Sequence, residues 1–223
     1  MGNKLVLIYG PSGSGKTTLL QQLVAEGSFF AVKTTTSRTI RPSEIENPPY
    51  NFITTEQFQN LIDDPTKPLI EWNSYADNFY GCTKQSVKDA IEQGMVTGKT
   101  PAMILDYNGI EAVHEWVHYE NFERNWPPED FQLQLIVINT FVSPEVWNER
   151  MVARTIAAIE NAPEEKYPAI IKDIMWRVSK IETEYDWFRN LRDLTTIQLN
   201  CDGNTNSVNL QLILELVNDT VQN

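Results

Sequence analysis

Cysteine is scarce in this chain: only Cys82 and Cys201 occur. Two thiols are too few for a disulfide framework, so a reducing, intracellular and cytoplasmic setting is expected. Long apolar runs are missing too. No window approaches the ~18 uninterrupted apolar residues of a membrane span. Basic residues are in deficit, 18 Lys and Arg against 30 Asp and Glu, for a formal charge of −12. That balance weighs against broad nucleic-acid or anionic-membrane binding, where counterion release needs basic surface. An anionic nucleotide remains a reasonable ligand if the few cations gather in one cleft. A cleavable signal is not expected either, because the N-terminus runs directly into an apolar strand and a glycine loop. Val6 breaks the Met-Gly-x-x-x-Ser/Thr lipidation pattern.

What is present is an ordinary globular composition, 41% apolar and 22% charged over 223 residues, enough for one substantial core with small appended subdomains. Apolar runs at Lys4–Tyr9, Leu69–Trp72, Ala102–Leu105, Leu133–Asn139 and Thr195–Leu199 read as strands. Helical patterns fall near Thr17–Ala25, Glu56–Ile62, Lys84–Gln93, Ile110–His118, Pro144–Met151 and Val208–Val221. Such alternation predicts an α/β fold around a largely parallel sheet. Two segments interrupt it. Residues 34–98 are rich in Thr, Pro, Tyr and Asn and read as an insertion. Residues 150–177 are long, charged and helical, a candidate lid.

The strongest local signal is Gly10-Pro11-Ser12-Gly13-Ser14-Gly15-Lys16-Thr17, which satisfies G-x-x-x-x-G-K-[ST] in full. Glycines permit a tight path that turns successive backbone N–H groups inward, and a helix N-terminus follows. ATP phosphates are the expected ligand along Gly10–Thr17 and Thr18. Lys16 should reach the β- and γ-phosphates, and the Thr17 hydroxyl should face Mg²⁺. Asp106 ends the run Ala102–Leu105, where an acid fits a role toward Mg²⁺ through a bound water. Its alternative reading is a helix cap.

A second string, Thr34-Thr35-Thr36-Ser37-Arg38-Thr39-Ile40-Arg41-Pro42-Ser43-Glu44, is followed by Tyr50-Asn51-Phe52. Two arginines three apart can converge on one phosphate if the loop curves, because the guanidinium fork binds oxygens bidentately. At this point the chain resembles the guanylate kinase family. Arg38, Arg41, Glu44 and Tyr50 match its acceptor-phosphate segment in type and order. Leu69-Ile70-Glu71-Trp72 resembles its Ile-Glu-Trp segment, Asn78-Phe79-Tyr80-Gly81 its Tyr-Gly segment, and Leu105-Asp106-Tyr107-Asn108 its Leu-Asp-x-Asp segment. The resemblance implies a P-loop three-layer core (residues 1–33, 99–149 and 186–223), a nucleoside-monophosphate-binding insertion (34–98) and a helical lid (150–185). It implies that Arg38, Arg41, Tyr50 and Tyr80 bind the acceptor phosphate. Glu71 would read the guanine edge, with Thr34 beside the base and Glu44 orienting the arginines. ATP and a nucleoside monophosphate would be the partners of a monomer or homodimer.

Departures bear on the base. Cys82 stands where the family usually carries Ser or Thr, and a thiol is a weak donor. Asn108 stands where a second Asp is usual. GMP or dGMP ranks first because Glu71 is retained, and another (deoxy)nucleoside monophosphate stays open. Arg150 and Arg154 lie four apart on one helix face, with Arg177 further on. They resemble the family's lid cations, which would stabilise charge on the transferring phosphoryl group. Three other readings stand: a kinase for ribose 1,5-bisphosphate, a non-catalytic scaffold of this type, and a zinc peptidase. The last rests on His114-Glu115-Trp116-Val117-His118, an H-E-x-x-H pattern with no third histidine to complete a site.

Overall fold

The computed structural model describes residues 4–40, 44–46, 48–75, 77–120, 133–190, 197–203 and 206–219. The chain divides into two compact units, Met1–Leu7 with Leu23–Ile136 and Ile8–Gln22 with Val137–Asn223. Strands β1 (Lys4–Tyr9) and β8 (Gln134–Phe141) each run through both.

In the first unit, β2 (Phe29–Ala31), β7 (Thr100–Ile104), β1 and β8 lie side by side in that order. Strand β2 runs parallel to β7, Phe29 opposite Thr100. All six residues of β1 are buried, as a central strand covered on both faces requires. The same unit holds a second sheet, ordered β4-β3-β6-β5, from β3 (Thr34–Thr36), β4 (Tyr50–Phe52), β5 (Leu69–Tyr75) and β6 (Asn78–Thr83). Strand β3 pairs parallel to β4 and antiparallel to β6. The β5–β6 ladder carries an irregularity: Leu69 faces Thr83, yet Glu71 faces Cys82. Two steps on β5 match one on β6, the signature of a bulge.

Helix α2 (Thr55–Asp63) starts on a capping box between Thr54 and Gln57 and sends Phe58 under this sheet, stacked on Phe79 at 5.3 Å. Helix α3 (Lys84–Thr97) is capped by Thr83 and closed by left-handed Gly98. Helix α4 (Tyr107–Glu115) passes into a π-helical turn, Trp116–Glu120.

In the second unit, the end of β8 pairs parallel with β9 (Ile197–Asn200), Ile138 opposite Ile197. Helix α1 (Lys16–Glu26) begins here, and α7 (Asn206–Asp219) closes the described chain. Helix α5 (Pro144–Glu160) is capped by Ser143, with proline in its first turn. A short 3₁₀ turn, Glu164–Lys166, leads into α6 (Tyr167–Asn190). Val142, Trp147 and Met151 form a buried cluster, with Ile181 of α6 packed on it. Among the described residues no helix is long and apolar enough to cross a membrane.

The α/β class with a parallel sheet is as the sequence predicts. The expected lid stretch is two helices, the first beginning at Pro144. The helix expected from Ile110 starts at Tyr107, because Asp106 caps it. Short strands β2, β3 and β4 had no signal of their own. Three residues give no periodicity to read, and β3 is three threonines.

Candidate functional site

The glycine loop connects β1 to α1. Its curvature depends on backbone few residues adopt: Gly13 has φ +86, and a Cβ there would also fall 2.7 Å from Met151 Cε. Ser14 is fully buried, and its hydroxyl lies 2.7 Å from that of Thr140, which donates to the Tyr9 carbonyl at 3.1 Å. This pair ties the loop to β8. Lys16 Nζ donates to the carbonyls of Gly10 and Pro11, the latter at 2.8 Å. Its ammonium thus lies against the loop it serves. Thr17 and Thr18 are exposed in the first turn of α1.

Two of the three expected lid arginines reach this loop. Arg150 donates from Nη1 to the Gly13 carbonyl at 3.0 Å and from Nη2 to the Cys201 carbonyl. Arg177 donates from Nη1 to Ser12 Oγ at 2.7 Å, while Asp173, one turn earlier on α6, holds its Nε and Nη2 at 2.9 and 3.2 Å. Arg154 is exposed, one turn beyond Arg150. Sequence reasoning missed three supports. The Trp147 indole N–H donates to the Ser12 carbonyl at 2.7 Å. Thr140 is buried at the end of an apolar strand, the one visible hint. Asp202 accepts from the Ser143 backbone N–H, which holds its carboxyl below the usual range.

The acceptor string builds a second cluster, within the first unit. Arg38 forms a fork with Glu44, at 3.0 and 2.9 Å, and Nη1 also donates to the Thr39 carbonyl. The pair is largely shielded, with side chains 13% and 16% exposed. The bond to Glu44 raises the guanidinium's proton affinity. Its carbon lies 5.6 Å from the Tyr50 ring centre and 5.2 Å from that of Phe52. Tyr80 meets Tyr50 edge-on at 6.2 Å. Thr36 fixes the start of the loop, accepting from the Arg38 N–H and donating to the Phe79 carbonyl. Thr34 is half-buried on β3, opposite Tyr50. Arg41 lies outside the described residues.

The base-reading candidates sit on β5, β6 and the start of α4. Burial, reinforced by the Asp106 charge, pushes the Glu71 carboxyl up to about 7, against an opposing bond from the Cys82 backbone N–H. Cys82 is fully buried, and burial with Glu71 beside it raises its thiol far above the usual value. It is a neutral neighbour, in line with the weak donor expected. Asp106 is the helix cap of its alternative reading. Oδ1 caps α4 through the Gly109 N–H at 2.8 Å, and Oδ2 accepts from Asn73 Nδ2 at 2.5 Å. Asn73 had no sequence signal. Asn108 is exposed in the first turn of α4.

The histidines of the H-E-x-x-H pattern lie with ring centres 4.3 Å apart, His114 on α4 and His118 on the π-helical turn. Burial, then His118, holds His114 below the usual value. Among the described residues no three His, Cys, Asp or Glu side chains gather to hold a metal ion.

A family model described as guanylate kinase matches residues 2–119, more than half of the chain. A guanylate kinase of Trichodesmium erythraeum (strain IMS101) is 44% identical over 93 residues, covering 41% of this chain and 48% of that protein. One of Thermosynechococcus vestitus (strain NIES-2133 / IAM M-273 / BP-1) is 28% identical over 181 residues, 81% of this chain and 92% of that protein. In matches such as the first, the chain spans about half the length of the curated relatives. The crystal structure of guanylate kinase from Anaplasma phagocytophilum aligns with a TM-score of 0.55 at 14% identity, over 99% of this chain and 87% of that one. At that identity the likeness is one of fold.

Proposed function

The chain belongs to the guanylate kinase family, and on that premise we propose that it transfers the γ-phosphoryl group of ATP to a nucleoside monophosphate, GMP or dGMP first. The observation that carries this reading is Glu71, a carboxyl in a half-buried setting with its proton affinity raised to about 7. A desolvated carboxylate is suited to accept from guanine N1–H and N2–H₂ together, and the bonds repay its desolvation when the base arrives. A kinase for ribose 1,5-bisphosphate would leave this group without a ligand. A scaffold would have no need of Lys16 and Thr17 in an intact phosphate loop.

The residue roles are those the family resemblance implies. Backbone N–H groups of the Gly10–Thr18 stretch, Pro11 excepted, take the donor phosphates, and Lys16 swings from the Gly10 and Pro11 carbonyls to the β- and γ-oxygens. Arg38, held rigid by Glu44, takes the acceptor phosphate with Arg41, Tyr50 and Tyr80; Thr34, Cys82 and Asn108 line the base. Acceptor oxygen attacks the γ-phosphorus in line, and ADP leaves. A phosphate oxygen is already ionised at neutral pH, so no side-chain base is needed. Arg150, Arg154 and Arg177 stabilise the charge on the phosphoryl group in flight. For Arg150 and Arg177 this means exchanging the Gly13 carbonyl and the Ser12 hydroxyl for phosphate oxygens.

For a divalent cation, Mg²⁺, the exposed Thr17 hydroxyl would be the direct oxygen donor on the phosphate loop; the role implied for Asp106, whose two oxygens are engaged, would be through water. When bound the cation would supply positive charge against that developing on the transferring phosphoryl group. The test is ADP release, coupled to an indicator reaction, against the full set of ribo- and deoxynucleoside monophosphates. Transfer to GMP or dGMP above all others is expected, and Lys16→Ala should abolish it while leaving the far-ultraviolet dichroism intact. No turnover with any nucleotide, or full turnover in Lys16→Ala, would refute the reading.

A further inference from the structure

We propose that Trp147 is a positioning residue for the donor phosphates: its indole N–H holds the Ser12 carbonyl and so aims the Gly13 N–H toward the phosphate-binding side of the loop. The proposal rests on the assignment of Gly10–Thr17 as the ATP-phosphate loop.

Trp147 sits in the second turn of α5 and is 6% exposed. An indole N–H is a donor with no alternative role, and burying it demands a partner. Its partner is a main-chain carbonyl of the loop, Ser12 O, at 2.7 Å and 135 residues away in sequence. The ring cannot swing aside. Val142 and Met151 pack with it, Ile181 of α6 joins them, and Tyr185, four residues further, donates from its hydroxyl to the Val142 carbonyl at 2.6 Å.

Planarity does the rest. In a trans peptide the C=O and N–H point in opposite directions. Fixing Ser12 O toward α5 therefore turns the Gly13 N–H away from α5. Gly13 supports the same geometry: a Cβ there would lie 3.6 and 3.7 Å from Trp147 Cδ1 and Nε1, so the indole covers the loop's outer face. Arg177 of α6 takes the Ser12 hydroxyl. Ser12 is thus gripped by its carbonyl from one helix and by its hydroxyl from the other. With the carbonyl released, the peptide can rotate and the amide loses its aim, which matters because preorganised donors act only where they already point.

Trp147→Phe keeps the ring and removes the N–H. The expected result is a rise of about three- to tenfold in the KM for ATP and in its equilibrium dissociation constant, the effect of one hydrogen bond, with the acceptor KM within twofold of wild type. An unchanged KM for ATP, or an equal rise in both KM values, overturns the proposal. Should Trp147→Phe not fold, the wild-type protein decides by nuclear magnetic resonance. An indole N–H protected from solvent exchange that shifts with ATP, and not with GMP alone, supports the strut. The absence of any such resonance overturns it. Wild-type protein that binds no ATP sinks the loop assignment and this proposal together; wild-type binding beside unaltered Trp147→Phe sinks the proposal alone.

Discussion

Replacing Glu71 by glutamine should make the protein more stable and a worse enzyme, with both effects set by pH. Burial and the nearby Asp106 charge raise this carboxyl from 4.5 to about 7. A group whose folded-state pKa is raised binds more protons folded than unfolded, so stability falls as pH rises between the two values. At ~1.36 kcal/mol per unit the wild-type penalty reaches about 3 kcal/mol above pH 8, where the carboxylate is ionised in both states. At pH 5.5 only about 1.4 kcal/mol has accrued, since the folded carboxyl is still protonated. Glutamine is nearly isosteric and never ionises. The gain in unfolding free energy of Glu71→Gln over wild type should therefore widen by about 2 kcal/mol between pH 5.5 and 8.5. Urea unfolding at the two pH values measures this. Function should move the other way. The amide offers one acceptor and sets a donor against a guanine donor, a loss of about 1–3 kcal/mol, or roughly 10- to 100-fold in kcat/KM for GMP. Wild-type kcat/KM for GMP should climb tenfold per pH unit below about 7 and level off above it, and the variant should lack that limb. A variant less stable than wild type at pH 8.5, or a difference that stays constant with pH, would refute the argument.

Arg38→Ala and Arg41→Ala should each raise the KM for the acceptor at least tenfold more than the KM for ATP in initial-rate kinetics; equal effects would remove them from the acceptor site. In Arg38→Ala the loss of the shielded two-bond fork to Glu44 should also cost about 1–3 kcal/mol of stability by urea unfolding. The two thiols should differ sharply. Cys82 is fully buried with its thiolate disfavoured, whereas Cys201 is only half-buried; burial raises its thiol too, with Arg150 opposing the shift, so the contrast lies in access. A disulfide reagent at pH 8 should therefore titrate one thiol in native protein and two after denaturation, and rapid native reaction of both would contradict the burial.

How much of this was legible depended on how far apart the interacting groups lie in the chain. The phosphate loop reads directly because its eight residues are contiguous and the motif includes the backbone geometry. Strand β1 and helix α3 reads are equally local, set by an unbroken apolar run and by Thr83 and Gly98 at the ends. The Arg38–Glu44 fork spans six residues and was half-visible as a charged pair in a loop. Nothing local announces Asn73, whose partner Asp106 is 33 residues away, or Trp147, whose donor role appears only once α5 meets the loop. A tryptophan on an amphipathic helix reads as core, and Trp147 is core as well as strut. Arg150 shows a milder gap. Its spacing from Arg154 pointed to a shared helix face, but its bonds to two carbonyls depend on tertiary placement.

The irregular step between Leu69 and Glu71 makes residue parity part of the site. Side chains alternate across a strand, so the extra residue decides which surface of β5 carries Glu71 and Asn73 and which carries Trp72. Excising a single residue there would exchange the two sets, bringing an indole where the acid stands, whereas an even-numbered change would restore them. The chemistry of this strand is thus encoded as much in a count as in the identity of any amino acid.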